Sequence, residues 1–351
     1  MADEKMRIAV GQFNELTDEK LQFAAQLGVT GVQMNLLGAP GRDHATRLDY
    51  DYLAGLVAKA AEWGMRFEAV ENVPLHFYDK VMLGLPGREA QLAEYCETIR
   101  NVGRAGIPVL GYHFMPNSVW STSRETVGRG GATVRVFDLP TVAATPAAEH
   151  RMFVGVRGSV LDDMFLETTA NPVGAEQMWA NYEYFLRGVL PVAEEAGVRL
   201  ALHPDDPPVS ELGGVARLFW NIDGFKRGEQ MANGSPAWGL DLCLGCCSEM
   251  VGGAANVRAM IEHFAPTGRI CYVHFRDVQG SVPHFAECFI GEGNYNAAET
   301  MLLLKRNGFT GFLIDDHVPQ MVDDSGWNYR GRAHAVGYMQ GLLDSIESLR
   351  Q

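Results

Sequence analysis

The sequence predicts an α/β fold, a closed (β/α)8 TIM barrel with a long insertion after its fourth strand. Three observations predict it. Short apolar runs rich in β-branched and aromatic residues alternate with amphipathic helical stretches, the pattern of βα units on a parallel sheet. Eight such runs are present, the number a closed barrel needs. No G-x-G-x-x-G follows the first run, which removes the main reason to draw an open, doubly wound sheet.

Taken in order, the strands are expected at Arg7–Phe13, Gly31–Leu36, Phe67–Asn72, Val109–Met115, Arg199–Asp205, Trp238–Cys243, Ile270–Asp277 and Gly311–His317. Thr17 followed by Asp-Glu-Lys caps and charges a helix that runs to Leu27-Gly28. Between Ala90 and Ala105, Leu92, Tyr95, Cys96, Ile99 and Val102 recur at the 3–4 spacing of a buried helical stripe. A helix ends at Gly197, and Pro191 is expected to kink it or start a new one. Ala333–Leu349 reads as the last helix. The 351 residues are more than a barrel of roughly 250 requires. We expect one domain over residues 1–351, with residues 117–175 inserted at the rim as a lid or substrate collar, an oligomerisation arm, or a surface loop.

Composition bounds the function. Hydrophobic residues at 47% and charged residues at 21% are enough to build a substantial core and argue against disorder. A net charge of −14 argues against a nucleic-acid partner, which needs a basic footprint. An anionic substrate stays possible, because a bound cation and a few arginines reverse the local potential. No apolar run is long enough to span a bilayer, and the opening residues show no secretory signal. Six cysteines are too sparse for a disulfide scaffold, so the cytoplasm is the expected compartment.

The chemistry lies at the strand ends. The fifth predicted strand ends near His203, the sixth at Cys243, the seventh near His274 and the eighth at Asp315-Asp316-His317. Parallel strands bring these ends to one rim, where His203, Cys243, His274 and Asp316 can surround a cation. Singly, each is as easily a structural histidine or a small buried cysteine. Together they form a borderline donor set that suits Mn, Fe, Co or Zn better than Mg or Ca. Cys243 also begins a C-x-x-C with Cys246, but without a second pair we read Cys246 and Cys247 as packing residues. His317, beside a ligand, is the first candidate for proton transfer, with His113, Tyr329 and His334 next. Arg276 is a candidate clamp for a substrate carboxylate, and Glu71, Asp205 and Arg332 are further candidate substrate contacts.

At these residues the chain resembles the mannonate dehydratase family, a branch of the xylose-isomerase-like TIM barrels. The resemblance runs through Leu83-Gly-Leu-Pro-Gly-Arg, Thr98-Ile-Arg-Asn-Val-Gly, His113-Phe-Met-Pro, His203-Pro-Asp-Asp-Pro-Pro, Leu242-Cys-Leu-Gly, Val273-His-Phe-Arg, Asp316-His and Gln320-Met-Val-Asp-Asp. It implies a manganese-type cation on His203, Cys243, His274 and Asp316. It also implies dehydration of a sugar acid to its 2-keto-3-deoxy product by a homo-oligomer. The chain departs from the family pattern in two places. Where the family reads Asn-Pro-Gly-Tyr-Ser-Ala-Ile-Gly, this chain has Ala333 at the tyrosine and His334 beside it, and Cys288 stands where the family has a histidine. The alternatives are a metal-dependent isomerase or epimerase, a β-eliminating lyase of a 3-oxo-glycoside, and a non-catalytic sugar-binding barrel. The last of these predicts no bound metal.

Overall fold

Strand formation begins at Arg7, and the first strand is broken at Ala9 into β1 (Arg7–Ile8) and β2 (Val10–Phe13). The chain then forms β3 (Gly31–Met34), β4 (Arg66–Val70) and β5 (Val109–Tyr112), followed by an inserted hairpin of β6 (Ser123–Val127) and β7 (Thr133–Asp138). Next come β8 (Arg199–Leu202), a small ribbon of β9 (Glu211–Leu212) and β10 (Val215–Ala216), β11 (Trp238–Cys243) and β12 (Ile270–His274). A second hairpin, β13 (Asp277–Ser281) and β14 (His284–Cys288), precedes β15 (Phe312–Ile314). This computed structural model describes residues 5–37, 44–155 and 167–348. Residues 156–166 of the predicted insertion lie outside the described residues.

The break in the first strand closes the barrel. β1 pairs in parallel with β15 through Arg7 and Phe312, while β2 pairs with β3 through Val10 and Val32. One stretch of chain thus supplies both edges of the sheet, whose order is β1-β15-β12-β11-β8-β5-β4-β3-β2. The strands end earlier than predicted: β8 stops before His203 and β15 before Asp315. The His203 N–H still bonds the Tyr112 carbonyl at 2.8 Å, and the His203 side chain lines the rim cavity.

Size alternation fills the barrel interior. Ala9, Ala69 and Ala201 make room for Tyr272 and Phe312, whose rings stack at 4.9 Å. Gly111 is required there: a Cβ on it would sit 2.2 Å from the Glu71 carbonyl oxygen. The helix Ala175–Ala196 covers the sheet from outside and continues through Pro191 without a break. Its long apolar face, from Met178 to Ala193, holds the helix against the core despite the missing N–H. The last helix, Tyr329–Ser348, begins four residues before the predicted start.

The inserted hairpin does not stand alone. β7 pairs antiparallel with β14, and the order β13-β14-β7-β6 makes a four-stranded sheet over the rim. Trp120, Phe137, Phe153, Val278 and Phe285 form a small core beneath it. The insertion is therefore tied to the loop after the seventh barrel strand. Among the described residues no helix is long and apolar enough to cross a membrane.

Candidate metal centre

Four buried side chains from four strand ends meet at the rim: ligand atoms of His203, Cys243, His274 and Asp316 all lie within 4.8 Å of one another. Each is aimed by its neighbours. His203 uses Nδ1 on its own Pro204 carbonyl at 2.7 Å, which frees Nε2. Cys243 is the N-cap of the helix Leu244–Glu249, and its sulfur accepts the Cys246 N–H at 3.4 Å. His274 has Nδ1 3.6 Å from Asp316 Oδ2 and Nε2 3.3 Å from Asp241 Oδ2. That is the carboxylate–histidine arrangement that orients metal ligands. Asp316 Oδ2 accepts from Arg276 Nε at 2.8 Å, and Oδ1 accepts from Gln12 at 3.0 Å.

The electrostatics of the cluster suit a cation. Burial opposes charge on His203, yet Asp241 and Cys243 raise it to about 10, and His274 rises well above its ordinary value against the same burial because of Asp241, Asp316 and Glu71. Burial likewise pushes the Cys243 thiol up. The Cys246 N–H, Arg276 and the two histidines overcome that and hold it well below a normal thiol. Protons on two imidazoles thus balance a thiolate and a carboxylate. A divalent ion supplies the same charge with the imidazoles neutral, as ligation requires. Neither ring nitrogen of the buried His274 makes a hydrogen bond, which leaves a lone pair for such an ion. The residues present fit a metal.

Above the centre lies a cavity of about 450 Å³. His113, His203, Asp316, His317, Glu71 and Arg332 all line it. Glu71 accepts from Gln12, Asn35 and Asn72, which fix its carboxylate at the wall. Arg332 lines the cavity but donates to Asp315. His113 is pushed down to about 3 by burial, with the His203 and Arg217 charges adding to it. His317 Nδ1 stands 2.6 Å from Glu287 Oε1, and Arg135 Nη1 lies 3.0 Å from His317 Nε2. Burial opposes ionisation of Glu287, but His317, Arg135 and Arg276 keep it below the ordinary carboxylate range.

Several sequence-based expectations need correction. Arg276 is no clamp for substrate: it is 2% exposed and bonded to Asp206, Glu249, Cys246 and Asp316. With every face of its guanidinium used, it braces Asp316 instead. Asp205 is buried outside the cavity, accepts the Phe219 N–H, and is raised to about 6 by burial. Tyr329 packs edge-on against Phe23 and Trp327, away from the cavity. His334 rests on Phe289 and, with Cys288, lines a separate void of about 10 Å³. Cys246 does more than pack, since its amide caps the Cys243 sulfur and its own sulfur accepts from Arg276.

Sequence reasoning missed Gln12, Asn35, Arg124, Arg135 and Glu287, which the structure brings to the cavity wall. Gln12 and Asn35 follow the same strand-end rule that found His203. Gln12 even adopts a positive φ of 64°, a conformation that clusters at functional sites. Arg124 and Arg135 carry no local signal, because only the docking of the inserted hairpin brings them there.

Fold and site together define a (β/α)8 barrel with a buried His/Cys/His/Asp cluster that could hold a metal ion under a polar rim cavity. The D-mannonate dehydratase (UxuA) pattern matches residues 6–351, and the chain belongs to that family. It is 31% identical over 304 residues to a mannonate dehydratase of Geobacillus thermodenitrificans, covering 81% of this chain and 80% of that one. The Thermotoga neapolitana enzyme of the same name is 29% identical over 310 residues, covering 82% and 83% of the two chains. The crystal structure of mannonate dehydratase from Streptococcus suis superposes with a TM-score of 0.82 at 26% identity, covering 97% and 94%. A xylose isomerase-like TIM barrel from Mycobacterium smegmatis, at 13% identity and a TM-score of 0.60, shares the fold alone.

Proposed function

We propose that the chain is a metal-dependent dehydratase that converts D-mannonate, or a closely similar aldonic acid, to its 2-keto-3-deoxy acid and water. The observation that carries the reading is the convergence of His203, Cys243, His274 and Asp316 beneath a cavity lined by His317. Membership in the D-mannonate dehydratase family and the named activity of its relatives support the reaction. The mixed donor set supports a manganese-type ion, with Fe, Co and Zn as other ions such ligands accept. A divalent cation held there supplies Lewis acidity to the substrate carboxylate and its neighbouring hydroxyl.

His317 is the general base. Glu287 accepts its Nδ1–H, which leaves the lone pair on Nε2, and substrate takes over the position where Arg135 donates. His317 removes the C2 proton, and the C–H electron pair becomes the C2=C3 bond. The C3 hydroxyl leaves with its own pair and takes the proton back from His317 as water. The enol that remains tautomerises to the 2-ketone. Arg124 and Arg135 bring positive charge to the wall, which favours an anionic substrate in a protein of net charge −14. A homo-oligomeric state belongs to the same reading and rests on the family resemblance, while a cytoplasmic location rests on the sparse cysteines. The test is incubation of manganese-loaded protein with D-mannonate, assayed for 2-keto-3-deoxy acid. Absence of product at high enzyme concentration removes the reading.

A further inference from the structure

We infer that His113 is a second catalytic residue, a neutral imidazole that donates its Nε2–H to a substrate oxygen and keeps the proton throughout. The inference rests on the dehydratase reading, which identifies that oxygen as one that gains charge when the C2 proton leaves. His113 follows β5 directly, and its backbone carbonyl accepts the Tyr78 hydroxyl at 2.8 Å. The backbone N–H of Met115 points at Nδ1 from 3.3 Å. A backbone amide can only donate, so Nδ1 holds the lone pair and the single proton of the neutral ring sits on Nε2.

That Nε2 is buried and has no hydrogen-bond partner, on a side chain 2% exposed that lines the cavity. A buried N–H without an acceptor is unfavourable, so a persistent one marks a donor held for something that binds. The ring shares the cavity wall with His203, Asp316 and His317. A donor set in advance against developing charge accelerates reaction more than one that must reorganise. The roles of the two histidines differ by their partners. His317 has a carboxylate on Nδ1 and so presents a lone pair. His113 has an amide on Nδ1 and so presents a proton.

His113→Phe and His113→Gln test the idea, because a glutamine amide reaches the position of Nε2 and still donates. His113→Phe is expected to lose about 10²–10³-fold in kcat, the usual loss for one such donor, with metal content unchanged. His113→Gln is expected to recover most of it, with the pH profile of kcat/KM unaltered. Nitrogen-15 spectra of the zinc-loaded protein should show the ring as the Nε2–H tautomer from pH 5 to 9, by a signal missing in both variants. Full activity in the Phe variant, a Gln variant as inactive as Phe, or a ring of the opposite tautomer overturns the inference. Wild-type protein without activity on D-mannonate refutes the dehydratase reading instead, and the tautomer measurement still decides whether His113 is held as a donor.

Discussion

Asp241→Asn separates metal binding from folding, because this carboxylate serves one and opposes the other. Asp241 is 1% exposed on β11, with Oδ2 3.3 Å from His274 Nε2. As the carboxylate behind a ligating histidine, it should strengthen binding by a factor of about 10–100, or about 1.4–2.7 kcal/mol. The metal-free protein tells the opposite story. Burial raises its carboxyl from 3.8 to about 7, against the pull of His274 and His203. A folded-state acid with a raised value favours the unfolded chain once it ionises. The penalty is absent below about pH 4, grows up to pH 7 and is constant beyond. The carboxylate returns part of this by stabilising the His203 and His274 charges, so the net penalty stays below the roughly 4 kcal/mol that three pKa units at about 1.4 kcal/mol each would make. Chelator-treated Asp241→Asn should therefore resist urea better than wild type at pH 8 and lose that advantage near pH 4. Its manganese affinity, measured by chelator competition, should be 10–100-fold weaker. Affinity within twofold of wild type, or a metal-free variant less stable at pH 8, refutes the reasoning.

Four further outcomes are expected. His203→Ala and Asp316→Ala should not retain metal through gel filtration, as elemental analysis will show. His317→Ala should keep its metal and lose about 10²–10⁴-fold in kcat, the usual range for a general base. Gly111→Ala should destabilise the barrel by about 1–3 kcal/mol in urea unfolding, since its Cβ meets the Glu71 backbone inside a packed interior. His334→Ala and Tyr329→Phe should stay within about twofold of wild-type turnover, because both side chains lie outside the rim cavity.

The convergence of the four candidate donors was legible because the parallel barrel converts position along a strand into position in space. His203, Cys243, His274 and Asp316 each follow an apolar run, and the fold places all such ends on one face. The same rule applied to the first two strands would have yielded Gln12 and Asn35. It failed for Arg276 and Asp205 in a consistent way. Two or three residues beyond the strand end, a side chain can turn outward into the loops, and both are consumed by buried partners there. The sequence marks a polar residue at that point without saying which neighbours take it.

Proton transfer was harder to read. His317 was recognisable from its place beside Asp316, but its orientation depends on Glu287 from β14 and Arg135 from β7, 30 and 182 positions away. Tyr329 and His334 lie near the cavity in sequence, yet the helix Tyr329–Ser348 turns both toward aromatic neighbours.

By itself, then, the chain's sequence determined the barrel, the four side chains that converge at its rim and the family, because these depend on local periodicity and on residue type at the ends of regular elements. Only the tertiary structure decided which charges are free and which are spent. It docked the inserted hairpin against β14, bound Arg276 to three carboxylates, and put a backbone amide against Nδ1 of His113 but a carboxylate against Nδ1 of His317. The reason is physical: a titratable group's role is set by the partners within a few ångströms of it, and here those partners come from distant parts of the chain.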